Sequence, residues 1–158
     1  MLYKDQKILF HLDNSRNKFL KIFDKKVCSF FSELSDLIFN DPIAKIYPEL
    51  ITYAFFIRAK NIILEKKKFL NSSNRYSVGK IIHFAPKNVP INFAYSLVFG
   101  LLSGNSNIVR VGEEKNDIVK STCKFFNLII KKKKYKKIYN ENTVITYKKD
   151  ENITKYFS

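Results

Sequence analysis

The chain has 158 residues and a formal net charge of +15, which is the length of one domain or of part of a larger one. Hydrophobic and aromatic fractions of 46% and 15% allow a packed core and exclude a disordered chain. The excess of lysine indicates either an anionic partner such as nucleic acid or a general lysine bias on polar helix faces. The second reading is favoured, because no nucleic-acid-binding motif accompanies the basic residues.

Signals for export, membrane insertion and metal binding are absent from the sequence. No apolar run reaches the ~20 residues that span a bilayer, and the N-terminus has no signal-peptide cleavage site. The two cysteines, Cys28 and Cys123, are far apart and lack CxxC spacing. We therefore expect a reduced, cytoplasmic protein without a metal.

Helical periodicity dominates the first 75 residues. Positions 9–12 and 19–23 carry apolar residues spaced for short helices, and positions 26–39 form a clear amphipathic stripe. Asp41-Pro42 ends this third helix. A long helix is predicted from Tyr47 to Leu70, because Pro48 suits a first helical turn.

After Tyr76 the pattern changes to alternating strands and helices. The predicted segments are a strand at Tyr76–Phe84, an apolar helix from Asn88 to Ser103, a strand at Ser106–Val111, a helix to about Lys134, a strand at Thr143–Tyr147 and a last helix capped by Asp150. This βαβαβα order predicts an α/β fold with a parallel, Rossmann-like sheet. Because a parallel sheet needs both faces covered, we expect an incomplete domain.

Polar residues in the central stretch have both structural and functional readings. Asn88 is placed either to cap the apolar helix or to donate its amide to a developing oxyanion, and spacing alone favours the cap. His83 is expected to be a strand or core residue, because no serine or cysteine lies near it in sequence. The lysines of 131–137 are expected to belong to a helix end that frays into a solvated loop. Neither common glycine-rich phosphate loop occurs.

Two motifs in this stretch carry a family resemblance. Pro86-Lys-Asn-Val-Pro90, an apolar helix, and Gly104-Asn-Ser-Asn-Ile-Val-Arg-Val-Gly-Glu113 resemble the Pro-Trp-Asn-Phe/Tyr-Pro and Gly-Asn-Thr-Val-Val-Leu-Lys-Pro-Ser-Glu motifs of the aldehyde dehydrogenase superfamily. With Tyr47–Asn61 and Tyr147–Ser158, they resemble more closely one branch, the long-chain acyl-CoA reductases that supply fatty aldehyde in bacterial luminescence. The resemblance runs from about residue 26 to the end.

This resemblance implies a reaction and a site. A cysteine thiolate takes the acyl group of a fatty acyl-CoA or acyl-enzyme donor, and the thioester is reduced by NADPH to an aldehyde. By the resemblance, Asn88 is the oxyanion-hole amide, which reverses the reading from spacing. Phe84, Ala85, Pro86 and Lys87 line the nicotinamide nucleotide, Arg110 replaces the superfamily's cofactor lysine and Glu113 its ribose-contacting glutamate. Val111-Gly112 replaces Pro-Ser, which leaves the choice between NADP and NAD open, although Arg110 has the charge to pair with a 2′-phosphate.

The resemblance also implies what this chain lacks. It divides the chain into a helical segment, 1–75, and the start of a nicotinamide-cofactor-binding domain of the aldehyde dehydrogenase type, 76–158. The family's nucleophilic cysteine lies downstream of residue 158, so the chain alone is expected to be inactive. A missing C-terminal half or second polypeptide, and a homo-oligomer when complete, are the expected partners; nucleic acid and a membrane are not. The alternatives are a non-catalytic remnant of a split gene and a basic nucleic-acid-binding module.

Overall fold

The computed structural model describes residues 7–10, 20–70, 75–112 and 116–147. Its strands and helices follow in chain order: β1 (Lys7–Phe10), α1 (Lys25–Asn40), α2 (Pro48–Ile57), α3 (Ala59–Leu70), β2 (Lys80–Phe84), α4 (Asn92–Leu102), β3 (Ser106–Val111), α5 (Asp117–Ile130), α6 (Lys136–Glu141) and β4 (Asn142–Thr146). Short 3₁₀ turns occupy Ala44–Ile46 and Lys133–Tyr135.

The strands form one four-stranded sheet in the order β1-β4-β3-β2. β2, β3 and β4 run parallel, with α4 joining β2 to β3 and α5 and α6 joining β3 to β4, which confirms the predicted α/β fold. β1 runs antiparallel to β4, so the helix expected at positions 9–12 was a wrong prediction. Local spacing failed there because the pairing partner, Thr146 for Lys7, is remote in sequence. The last helix, expected from Asp150, lies outside the described residues.

The helix predicted at positions 26–39 is correct, whereas the one predicted at 19–23 is wrong, because residues 20–24 form a turn in which Phe23 has a positive φ of 49°. One boundary further along was also missed. α1 covers the predicted helix, and the Asp24 carboxylate caps it by accepting from the Lys26 backbone N–H at 2.8 Å. The long helix predicted from Tyr47 is two helices, because Arg58 takes extended backbone angles of −62° and 150°. The Asn61 side-chain amide donates to the Phe55 carbonyl at 2.7 Å and supplies a partner at the break. Among the described residues, no helix combines the length and the apolar character needed to cross a bilayer.

One hydrophobic core joins the helices to one face of the sheet. It contains Val109 and Val144 from the central strands together with the buried sides of α1, α2, α4 and α5. A smaller cluster of Ile108, Ile145 and Tyr147 lies on the opposite face, as the alternation of side chains along a strand requires. The expected domain boundary near residue 75 stays a prediction, because residues 71–74 are outside the described ranges.

A polar contact holds the lysine-rich segment after α5 against α1. α5 ends at Ile130, and the frayed end expected for this segment is replaced by the 3₁₀ turn and α6. Glu33 on α1 pairs with Lys132 at 2.7 Å and with Lys134, and it accepts from the Tyr135 hydroxyl at 2.8 Å. These hydrogen bonds, led by that from Lys132, lower the pKa of Glu33 to about 2. The segment therefore has a fixed position on the helical layer.

Candidate functional site

The carboxyl ends of the three parallel strands meet at one edge of the sheet. Phe84 ends β2, and the ladder extends one step beyond it because the Ala85 N–H donates to the Arg110 carbonyl at 2.9 Å. At the end of β4, the Thr146 hydroxyl donates to the Gly112 carbonyl at 2.9 Å. Ligands of open α/β sheets bind at this edge, in the loops that follow the strands. We call the ends of β2, β3 and β4 with their following loops the carboxyl edge.

The structure brings most of the residues predicted for the site to this edge. Phe84, Ala85, Pro86 and Lys87 form the end of β2 and the loop that follows it, and all but the half-buried Ala85 are exposed. Phe84 is 52% exposed although it ends a strand, so a large aromatic face is open at the edge. Glu113 lies outside the described residues, and its role stays a prediction.

Asn88 lies in the same loop, and its predicted capping role is wrong. α4 begins at Asn92, four residues later, with Ile91 in the cap position and no side-chain cap. The chain enters the helix through turn-like bonds, from Asn92 N–H to the Val89 carbonyl at 3.1 Å and from Ala94 N–H to the Ile91 carbonyl at 3.0 Å. The Asn88 side chain is exposed and has no hydrogen bond to any described residue. Its amide is therefore available to a ligand at the carboxyl edge.

Arg110 reaches the carboxyl edge on the face of the sheet away from the helices. Its Cα partners are Phe84 on β2 and Ile145 on β4, so these three side chains share one face. One Nη2 donates to the Tyr147 carbonyl at 3.3 Å, and the guanidinium lies 5.0 Å from the Tyr147 ring centre. The Arg110 Nε is buried and has no hydrogen-bond partner among the residues that the structure describes. A buried donor without an acceptor costs free energy of folding. An anionic acceptor makes the strongest hydrogen bond to such a charged donor.

Sequence reasoning missed a buried amide network near the opposite, amino end of the sheet. The Asn107 Nδ2 donates to the Asn105 carbonyl at 2.8 Å and to the Asn142 Oδ1 at 2.7 Å. Its Oδ1 lies 2.9 Å from the His83 Nε2, and since Nδ2 is already donating, the histidine nitrogen is the donor. His83 is therefore a half-buried structural residue, as predicted. The Gly-Asn-Ser-Asn motif was the only signal of this network in the sequence.

Neither cysteine is placed or activated as a nucleophile. Cys28 is half-buried on α1, and burial raises the pKa of its thiol despite the opposing charge of Lys66. Cys123 is buried on α5, and burial raises its pKa to about 12. Both groups are protonated thiols at neutral pH, whereas the thiolate is the reactive form. Both lie on helices rather than on the carboxyl edge.

Comparison with known proteins identifies a family. The family model described as acyl-CoA reductase (LuxC) matches residues 45–156, which is well over half of the chain. The match includes all three parallel strands and the whole of the described carboxyl edge. A search of curated proteins finds no match.

Proposed function

Because the chain belongs to the acyl-CoA reductase (LuxC) family, we propose that it forms the cofactor edge of an enzyme that reduces a fatty acyl-CoA to a fatty aldehyde. The observation that carries this proposal is the family match over residues 45–156. That match covers the edge of a parallel sheet at which ligands of open α/β folds bind. The proposed cofactor is NADPH, the proposed acyl carrier is a cysteine thioester, and the proposed location is the cytoplasm.

The residues at the carboxyl edge fit a phosphorylated dinucleotide. NADPH, when bound, supplies the hydride that reduces the acyl group. The exposed loop after β2 offers its backbone and the Phe84 ring as a surface for a flat, partly apolar ligand. Arg110 offers a guanidinium whose buried Nε has no partner in the described part of the chain, and its position suits a ribose or phosphate oxygen. An anion there would remove the cost of that unfilled donor.

Asn88 is proposed to stabilise the oxyanion that develops when the acyl carbonyl is attacked. Its amide makes no hydrogen bond to the described residues, so no internal contact has to break before it donates. It also precedes the N-terminus of α4, where the helix dipole adds positive potential. Removing one oxyanion-hole donor costs on the order of 10²–10³ in kcat, so an amide in this role matters to the rate.

The thiolate that carries the acyl group is proposed to come from outside this chain. Cys28 and Cys123 are the two cysteines of the sequence, and burial raises the pKa of each thiol. The expected partner is therefore a polypeptide segment that brings a reactive cysteine to the carboxyl edge. Homo-oligomerisation of the complete enzyme stays a prediction from the resemblance.

Calorimetric titration of the chain with NADPH and with NADH tests the cofactor role. We expect binding of NADPH, weakened about tenfold by R110M, which keeps an unbranched apolar stem but removes the charge. K124M on α5 is the control, because it removes one charge from an exposed residue on a different element. If the chain binds neither dinucleotide, the cofactor role fails, and the non-catalytic alternative is favoured.

A further inference from the structure

The side chain of Lys87 packs beside Gly112. A Cβ built on Gly112 would lie 3.5 Å from the Lys87 Cγ and 3.8 Å from both its Cβ and Cδ. The aliphatic stem therefore packs over the end of β3, in the space that a larger side chain at position 112 would fill. Lys87 comes from the loop after β2, so this contact brings the ends of two neighbouring strands together.

This contact places the stem of Lys87 beside the end of the strand that carries Arg110. Positions 110 and 112 are two residues apart, so their Cβ directions are on the same face where the chain is extended, about 7 Å apart. β3 itself ends at Val111, and Gly112 continues from it directly. The stem of Lys87, which packs against Gly112, is thus next to the position of Arg110 on the face of the sheet that carries Phe84.

Both cations have unused hydrogen-bonding capacity. Lys87 is exposed and makes neither an ion pair nor a hydrogen bond with the residues that the structure describes. Among the described residues, the Arg110 guanidinium makes one hydrogen bond, at 3.3 Å to the Tyr147 carbonyl, and its buried Nε has no partner there. Two like charges on neighbouring positions of one face repel each other. A dianion between them would turn this repulsion into two charge-assisted interactions.

We propose that Lys87 and Arg110 together bind the 2′-phosphate of NADP, and that Lys87 is a specificity-determining residue for NADP over NAD. This inference rests on the proposed function, since it assigns part of the same cofactor site. A small residue at position 112 is compatible with it, because only a side chain larger than that of alanine would occupy the space of the lysine stem. Lys87 then contributes through its side chain, rather than only through its backbone.

The test compares two small probes that differ only in the 2′-phosphate, 2′,5′-ADP and 5′-AMP, by calorimetry on the full chain. We expect 2′,5′-ADP to bind at least tenfold more tightly. K87M keeps the stem and removes the charge, and it should reduce that ratio about fivefold to tenfold, because 2′,5′-ADP loses more affinity than 5′-AMP. K87R should retain the ratio, and K124M on α5 controls for the loss of one positive charge.

A second variant tests the geometry without changing any charge. G112L would fill the space that the Lys87 stem occupies and should reduce the ratio as K87M does. G112A is its control, because its Cβ would make only ordinary contacts at 3.5 Å and beyond. Circular dichroism of each variant verifies that the fold is retained.

The outcomes separate this inference from the proposed function. Equal binding of both probes, or an unchanged ratio in folded K87M, overturns the assignment of Lys87 while a cofactor site at this edge stands. A chain that binds neither probe nor NADPH overturns the inference and the cofactor role together. A ratio lost in K87M and G112L but kept in K87R, G112A and K124M supports both.

Discussion

Replacing Gly100 by alanine tests whether the buried amide network holds α4 on the sheet. Gly100 is in α4, and its Cα faces Asn107 on β3. A Cβ added there would lie 1.9 Å from the Asn107 Oδ1 and 2.7 Å from its Cγ, far inside van der Waals contact. Asn107 is fully buried and cannot move without breaking its bonds to His83, Asn105 and Asn142.

The magnitude follows from three terms. Overpacking a filled interior costs about 1–3 kcal/mol, and leaving buried amide groups without partners costs about 1–3 kcal/mol more. In the opposite direction, alanine in place of glycine within a helix stabilises the folded state by up to about 1 kcal/mol. We therefore expect G100A to lower the free energy of unfolding by about 1–5 kcal/mol.

Urea unfolding followed by far-UV circular dichroism measures this change. G112A is the matched control: it adds the same methyl group where the nearest atom is 3.5 Å away, and its stability should change by less than about 0.5 kcal/mol. In an N107A background, where the clashing amide is absent, G100A should cost little or nothing. A G100A variant as stable as the parent chain, or an equal cost in the N107A background, would refute the assigned contact.

Two further predictions concern titratable groups. Because the pKa of Glu33 is lowered from 4.5 to about 2 by its hydrogen bonds, first that from Lys132, its stabilising contribution is present above pH 4.5 and is lost as the pH falls towards 2. E33Q should remove up to about 1 kcal/mol of this acid dependence, measured by urea unfolding across that interval, whereas an equal effect of D36N on the same helix would contradict the contact. With the pKa of Cys123 raised to about 12 and that of Cys28 also raised, incubation with a fatty acyl-CoA at neutral pH should leave the intact mass of the chain unchanged. An added acyl mass that disappears in C28S or C123S would show that one of these thiols is a nucleophile after all.

Local patterns predicted the elements whose residues are close in sequence. The apolar stripe of α1 and the bounds of β3 both follow from interactions within a few residues. The break at Arg58 was not predicted, because no glycine or proline interrupts the helical spacing between positions 49 and 70. What ends α2 there is an extended backbone that the Asn61 side chain supports, and no composition rule indicates it.

Some features of the candidate site were likewise predicted from local sequence, and others were shown only by the structure. The motif around Pro86 and Asn88 was sufficient to place these residues at a strand end, and it identified the family that the comparison confirms. It did not show that Asn88 is free of the helix cap, nor that the Lys87 stem lies over Gly112. Both depend on where α4 starts and on how neighbouring strands align, which are properties of the packed sheet.

The sequence by itself therefore determined the order and type of most elements, the parallel sheet and the family. Only the tertiary structure decided which remote residues meet: β1 with β4, Glu33 with the turn at Lys133–Tyr135, and Asn107 with Asn142. The physical reason is that helix periodicity and turn chemistry are encoded over a few neighbouring residues. Strand pairing and buried polar networks instead depend on complementarity between segments that are distant along the chain and become neighbours only when the core packs.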